Sequence, residues 1–289
     1  MKSRIVRKIL LLFLVAFLVL AAEKTALGQI TSTNWAGYAV NSTGITDISA
    51  SWIVPEVQCG NTIGGNQVNQ GVAIWIRFDG ITGTALVPEQ VGTESVCYNG
   101  SAYYFAFEED STIGPRTANH AETVPFGQEI SAGERITASI AYLGNNQFRI
   151  TIADPQAGDS KTWDGIFIPN APRTSAEWIV EAFYNKNTGK QVALPESKPI
   201  AFTDCSASVN NAAGSIVQLN AEPINMVDNN GNIIAAPQSL NQAGTSFNVA
   251  VASPVPEFPT TILLLVTTLF TVLVTLRRFN FYSIRERLR

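Results

Sequence analysis

The residues of this sequence whose types and spacing suit chemistry are carboxylates and amides. Thr174 to Phe183 reads TSAEWIVEAF, with Glu177 and Glu181 four residues apart in a run otherwise typical of a strand interior. Side chains alternate faces along a strand, so Glu177, Ile179 and Glu181 point one way and Trp178, Val180 and Ala182 the other. In AIWIRFDG, Trp75, Arg77 and Asp79 share one face, while Ile74, Ile76 and Phe78 share the other and form core. In AYYFAFEED, Tyr104, Ala106 and Glu108 share a face. ALVPEQVGTES places Gln90 just before a glycine. His120, in the polar stretch TANHAET, is the one histidine of the chain and reads as a solvated loop residue. A Ser-His-Asp or Cys-His mechanism therefore has almost nowhere to sit. HExxH, Cys-x-x-Cys and a nucleophile elbow are absent from the sequence, and no metal is expected.

These groups must be positioned by strands. β-branched and aromatic runs recur at 48–55, 71–80, 102–108, 135–143, 147–154, 176–183, 199–205 and 246–252, separated by Gly, Asn, Pro and Ser clusters. RITASIAYL alternates Ile136, Ala138, Ile140 and Tyr142 against Thr137, Ser139, Ala141 and Leu143. YLGNNQF at 142–148 predicts a hairpin, because Gly-Asn-Asn tolerates positive φ. No long amphipathic helix is visible between the termini. The class is all-β, two antiparallel layers. The polar segment 207–242 reads as strands with long loops.

Both ends read as targeting segments. Lys2, Arg4, Arg7 and Lys8 precede the apolar run Ile9 to Ala22, which predicts a signal peptide over 1–28, with an uncleaved anchor as the alternative. Thr260 to Leu276 is an uncharged run of 17 residues followed by five arginines, which predicts a single transmembrane segment with a cytoplasmic tail. The Pro-Glu-Phe-Pro start at 256–259, the single span and the basic end together resemble the archaeal PEF-type sorting signal, assigned to 257–289. That resemblance implies an archaeosortase-type processing partner and a cell-surface location; a permanent membrane anchor is the alternative. Residues 29–256 remain as one domain. It carries nine lysines and arginines against twenty aspartates and glutamates, a balance of −11 compared with −4 for the whole chain. Nucleic acid is thereby excluded as a partner. Three cysteines in an exported domain allow one disulfide, predicted as Cys59 with Cys97, leaving Cys205. Asn41-Ser-Thr and Asn99-Gly-Ser fit the glycosylation pattern of exposed loops.

In order and spacing, NWAGYAV (34–40), ISASWIVPEVQC (48–59), WIRFDG (75–80), PEQVGTESVC (88–97), YYFAFE (103–108), ISAGERITASIAY (130–142), SAEWIVEAF (175–183) and FTDC (202–205) resemble the glutamic peptidase, or eqolisin (peptidase A4), family. The resemblance implies a concanavalin-like β-sandwich that cuts protein or peptide substrates without a cofactor. It implies a dyad in which Glu181 exchanges protons with water and leaving amine while Gln90 orients the water and stabilises the oxyanion. Trp75 and Asp79 would line and brace the cleft, Glu108 would be a supporting carboxylate, and Glu177 would border the site. Departures are Ala106 where the family has an aromatic, Glu109 and Asp110 where it runs aromatic-proline, and Arg77 where it has a small residue. Arg77 is expected to pair with Asp79, to project into the cleft, or to cap the sandwich surface. The competing functional reading is a non-catalytic, lectin-like sandwich binding glycans or peptides at the cell surface; a structural surface-layer protein would explain the anchor and acidity but not the dyad.

Overall fold

Ile136, Ala138 and Ile140 are buried while Thr137, Ser139 and Ala141 are half-buried, so the alternation read from 135–143 sets which side faces the core. The computed structural model describes residues 30–59, 68–81, 89–110, 120–123, 130–184, 191–195 and 197–252, with the backbone alone for 68, 69 and 120–123. The stretches predicted as signal peptide and sorting segment, 1–28 and 257–289, lie outside the described residues.

Among the described residues there are sixteen strands and no helix. In chain order they begin with β1 (Ile30–Ser32), β2 (Trp35–Asn41), β3 (Ile45–Ile53), β4 (Val68–Phe78), β5 (Glu89–Tyr98) and β6 (Ser101–Asp110). Then follow β7 (His120–Thr123), β8 (Arg135–Gly144), β9 (Gln147–Asp154), β10 (Asp159–Phe167) and β11 (Ser175–Glu181). The last are β12 (Ile200–Val209), β13 (Ala212–Ser215), β14 (Glu222–Val227), β15 (Ile233–Pro237) and β16 (Phe247–Val251). His120 is thus strand, not loop: β7 is a four-residue strand that pairs antiparallel with β6, and a strand so short and polar carries no apolar periodicity to announce it.

Fourteen of the strands form one hydrogen-bonded path, β10-β9-β8-β3-β12-β16-β15-β14-β2-β11-β4-β5-β6-β7, beside which β1 pairs parallel with β14 and β13 antiparallel with β12. It doubles back on itself into a two-layer antiparallel β-sandwich. β3, β8 and β9 face β4, β5 and β11 across the core. Trp178 Nε1 donates to the Ser49 carbonyl at 3.0 Å, Trp52 Nε1 donates to Thr93 Oγ1 at 2.9 Å, and Phe78 meets Phe148 edge-on. These contacts satisfy the two buried indoles while closing the layers. Ile74, Ile76 and Phe78 of β4 lie in that core, as expected.

A second, smaller apolar cluster lies on the outer face of the β2-β11-β4-β5-β6 layer: Ala39, Ala73, Trp75, Phe107, Ile179 and Ile224. Burial on both faces makes the central strands nearly continuous in apolar character, as β11 shows with six of its seven residues buried. Cys59 and Cys97 are disulfide-bonded, tying the segment after β3 to the end of β5, and Cys205 is free and buried. The predicted 142–148 hairpin joins β8 and β9, with Gly144, Asn145 and Asn146 all at positive φ.

Candidate active site

Strand register on the outer face of this layer collects the candidate residues into three cross-strand rows. One runs Glu177, Arg77, Gln90, Glu109. The next runs Ile179, Trp75, Gly92, Phe107, and the third Trp35, Glu181, Ala73, Glu94, Phe105. Gly92 is where the rows need a glycine: an added Cβ would meet the Ile74 carbonyl oxygen at 2.3 Å and Trp75 Cβ at 2.6 Å.

Glu181 sits at the end of β11 with each carboxyl oxygen on an N–H donor. Asn34 Nδ2 reaches Oε1 and Trp75 Nε1 reaches Oε2, both at 2.8 Å. Burial raises its pKa above the ordinary value; Trp35, Trp75, the Arg77 charge and Asn34 work against that rise by favouring the carboxylate. The Trp35 indole, edge-on to Trp75 at 5.2 Å, stands beside the same carboxyl although its Nε1 has no aligned acceptor. Arg77 lies over both rings, 5.3 Å from the Trp35 centroid and 5.9 Å from that of Trp75. Its Nε donates to the Phe78 carbonyl and its Nη2 to the Asp79 carbonyl, each at 3.3 Å, so it bonds the backbone of Asp79 and not its carboxylate.

Gln90 is buried, and its Nε2 donates to Glu109 Oε2 at 3.1 Å. Gln90 and Glu181 share the face without bonding each other. They stand two strands apart and four residues apart along the strands. A molecule bound between them is what could engage both.

The model of the peptidase A4 family matches residues 33–249. The chain belongs to the peptidase A4 family. A curated relative is aspergillopepsin-2 of Aspergillus niger, 24% identical over 220 residues, 70% of this chain and 73% of the relative. Scytalido-glutamic peptidase solved with a transition state analog inhibitor is 20% identical, with a TM-score of 0.61 over 76% of this chain and 99% of that one. SCP-B, an eqolisin solved with the tripeptide Ala-Ile-His, is 21% identical, with a TM-score of 0.58 over the same shares. These two likenesses speak to the fold. This peptidase A4 protein is a peptide-bond hydrolase.

The other predicted residues of the A4 chain divide. Asp79 lies just past the end of β4 with φ 61°, so strand alternation no longer aims it at the site face. Its carboxylate accepts from the backbone N–H groups of Arg173 (2.7 Å) and Thr174 (2.6 Å) and from Thr174 Oγ1 (3.0 Å). It braces the entry to β11 and does not line the cleft. Glu177 is fully buried; its Oε1 accepts from Gly80 N–H at 2.9 Å while Oε2 has no partner. Burial raises its pKa to about 7 against opposing help from Ser175, Arg77 and Gly80. Glu89, at the start of β5, is raised to about 8 by burial and by the charge of Asp79.

Glu108 is corrected. It pairs with Val91, a residue of the inter-layer core, and so faces away from the site, while its neighbour Glu109 faces Gln90. The signal that could have shown this is Asn99-Gly100: a two-residue turn there pairs Tyr98 with Ser101 and, counting back, Gln90 with Glu109. Asn34 and Trp35, inside the NWAGYAV stretch, were given no role by sequence reasoning, because their contact with Glu181 spans about 147 residues of chain.

Proposed function

We propose that this peptidase is an exported acid endopeptidase in which Glu181 and Gln90 form the catalytic dyad. The observation that carries the reading is Glu181: a half-buried carboxyl with one N–H donor on each oxygen, on the same strand face as the buried Gln90. A peptide bound across the rows would place its scissile carbonyl and an attacking water between the two. Glu181 takes a proton from the water as it attacks and returns it to the leaving amine. The Gln90 carbonyl orients the water, and its amide N–H carries part of the oxyanion charge. That aspergillopepsin-2 is a named relative, and that similar folds hold a transition state analog and a tripeptide, supports a peptide ligand here.

The Cys59–Cys97 bond supports an oxidising, extracellular location, with the chain held or processed at the cell surface through 257–289. The deciding experiment is hydrolysis of an unfolded protein by the full chain between about pH 2 and 6, beside Glu181→Gln and Gln90→Ala. Cleavage by the parent and loss of roughly a hundredfold or more in each variant is expected. Normal cleavage by both variants would remove the dyad.

A further inference from the structure

Glu109 is a buried carboxylate that the proposed chemistry does not use, and a buried carboxylate is costly unless it is hydrogen-bonded. Register places it directly opposite Gln90, and the two side chains join at 3.1 Å through Gln90 Nε2. From these contacts we infer that Glu109 is a positioning residue, which fixes the catalytic amide in one of its two orientations. The inference rests on the Gln90–Glu181 reading.

The physical reason is the near-symmetry of a primary amide. Its two ends have almost the same shape, so only the hydrogen-bond partners decide which end is NH2. While Glu109 is ionised it accepts and cannot donate, so the end facing it must be the NH2. The carbonyl then turns from β6 toward β4, the strand that lies between β5 and β11. The cross-strand neighbour of Gln90 on that side is Arg77, whose positive charge also favours a carbonyl end. A carbonyl facing β4 and β11 can accept from a water shared with Glu181; an NH2 in that place would oppose it. Gln90 has two N–H groups, and one stays available for the oxyanion. Glu109 and Arg77 thus flank Gln90 in one row and favour the same orientation.

The test uses the purified full chain with Glu109→Ala, Glu109→Gln and Glu109→Asp. Glutamine keeps the shape but can both accept and donate, so the preference for one orientation is lost; aspartate keeps the charge on a shorter arm. Gln90→Ala identifies the Gln90 side-chain amide signals in a nitrogen-15 NMR spectrum. Expected are a downfield Gln90 amide proton in the parent that moves upfield in the alanine and glutamine variants, and kcat lower by about tenfold to a hundredfold with KM little changed. Partial recovery by aspartate is expected, a recovery that packing alone would not give. An unmoved Gln90 signal in Glu109→Ala overturns the inference. So does an unchanged kcat when Gln90→Ala is inactive. If Gln90→Ala itself keeps full activity, the dyad fails and the positioning role falls with it, whatever the spectrum shows.

Discussion

Glu181 combines two opposed demands: burial favours its neutral form, while Trp35, Trp75, Arg77 and Asn34 favour the charged one that a general base needs. The acid side of the pH–rate profile should follow that balance. Trp75→Phe keeps the ring but removes the N–H on Oε2, so the Glu181 pKa rises. The acid limb of kcat/KM should move to higher pH, with kcat down roughly tenfold; a pH–rate profile of the variant measures both. Arg77→Gly removes a positive charge and should move the same limb in the same direction, because a nearby cation stabilises the carboxylate. An unmoved limb would mean that the guanidinium is screened from the site.

Among the elements, β11 depends on the turn that precedes it. Asp79 holds the backbone N–H groups of Arg173 and Thr174 just before β11 begins, so Asp79→Ala leaves partly buried donors unpaired. A loss of about 2–4 kcal/mol in urea unfolding is expected, with activity falling because the Glu181 strand loses its anchor. Gly92→Ala should also be severe, since its Cβ would press on Trp75, the residue that holds Glu181. Circular dichroism melts and activity assays would show both losses. Much of this was legible in sequence. The alternation in 135–143 gave β8, and TSAEWIVEAF put both glutamates on one face. β10 was missed because it lies at the sheet edge with most residues exposed, which removes apolar periodicity. β5 was hard to read as a strand because Gln90, Gly92 and Glu94 face the site. Glu108 and Glu109 are one register step apart, a step that reverses every face, and only the Asn99-Gly100 turn fixes which of them meets Gln90.

At the scale of the whole molecule, two buried acids tie stability to pH. Glu177 and Glu89 are raised from 4.5 to about 7 and about 8 when folded, and both return to ordinary values in the unfolded chain. Below about pH 4.5 both states hold the protons and no penalty arises. Between there and pH 7 to 8 the folded state alone must keep them, so stability falls as pH rises, by a few kcal/mol per group, and levels off above. Urea midpoints at pH 4, 6 and 8 should therefore decline, and Glu177→Gln should flatten the decline; a rising series would contradict the assignment. A fold most stable in acid faces a colloidal problem there, because aspartates and glutamates lose the charge that keeps molecules apart. The exposed strand β10 shows how this protein answers it. Its register slips between Asp164 and Ile166, and Arg149 holds Asp164 ionised below the ordinary carboxylate range. A kink does not titrate. The edge that β10 forms among the described residues thus stays a poor template for a second molecule under the conditions where neutralised side chains would otherwise invite stacking.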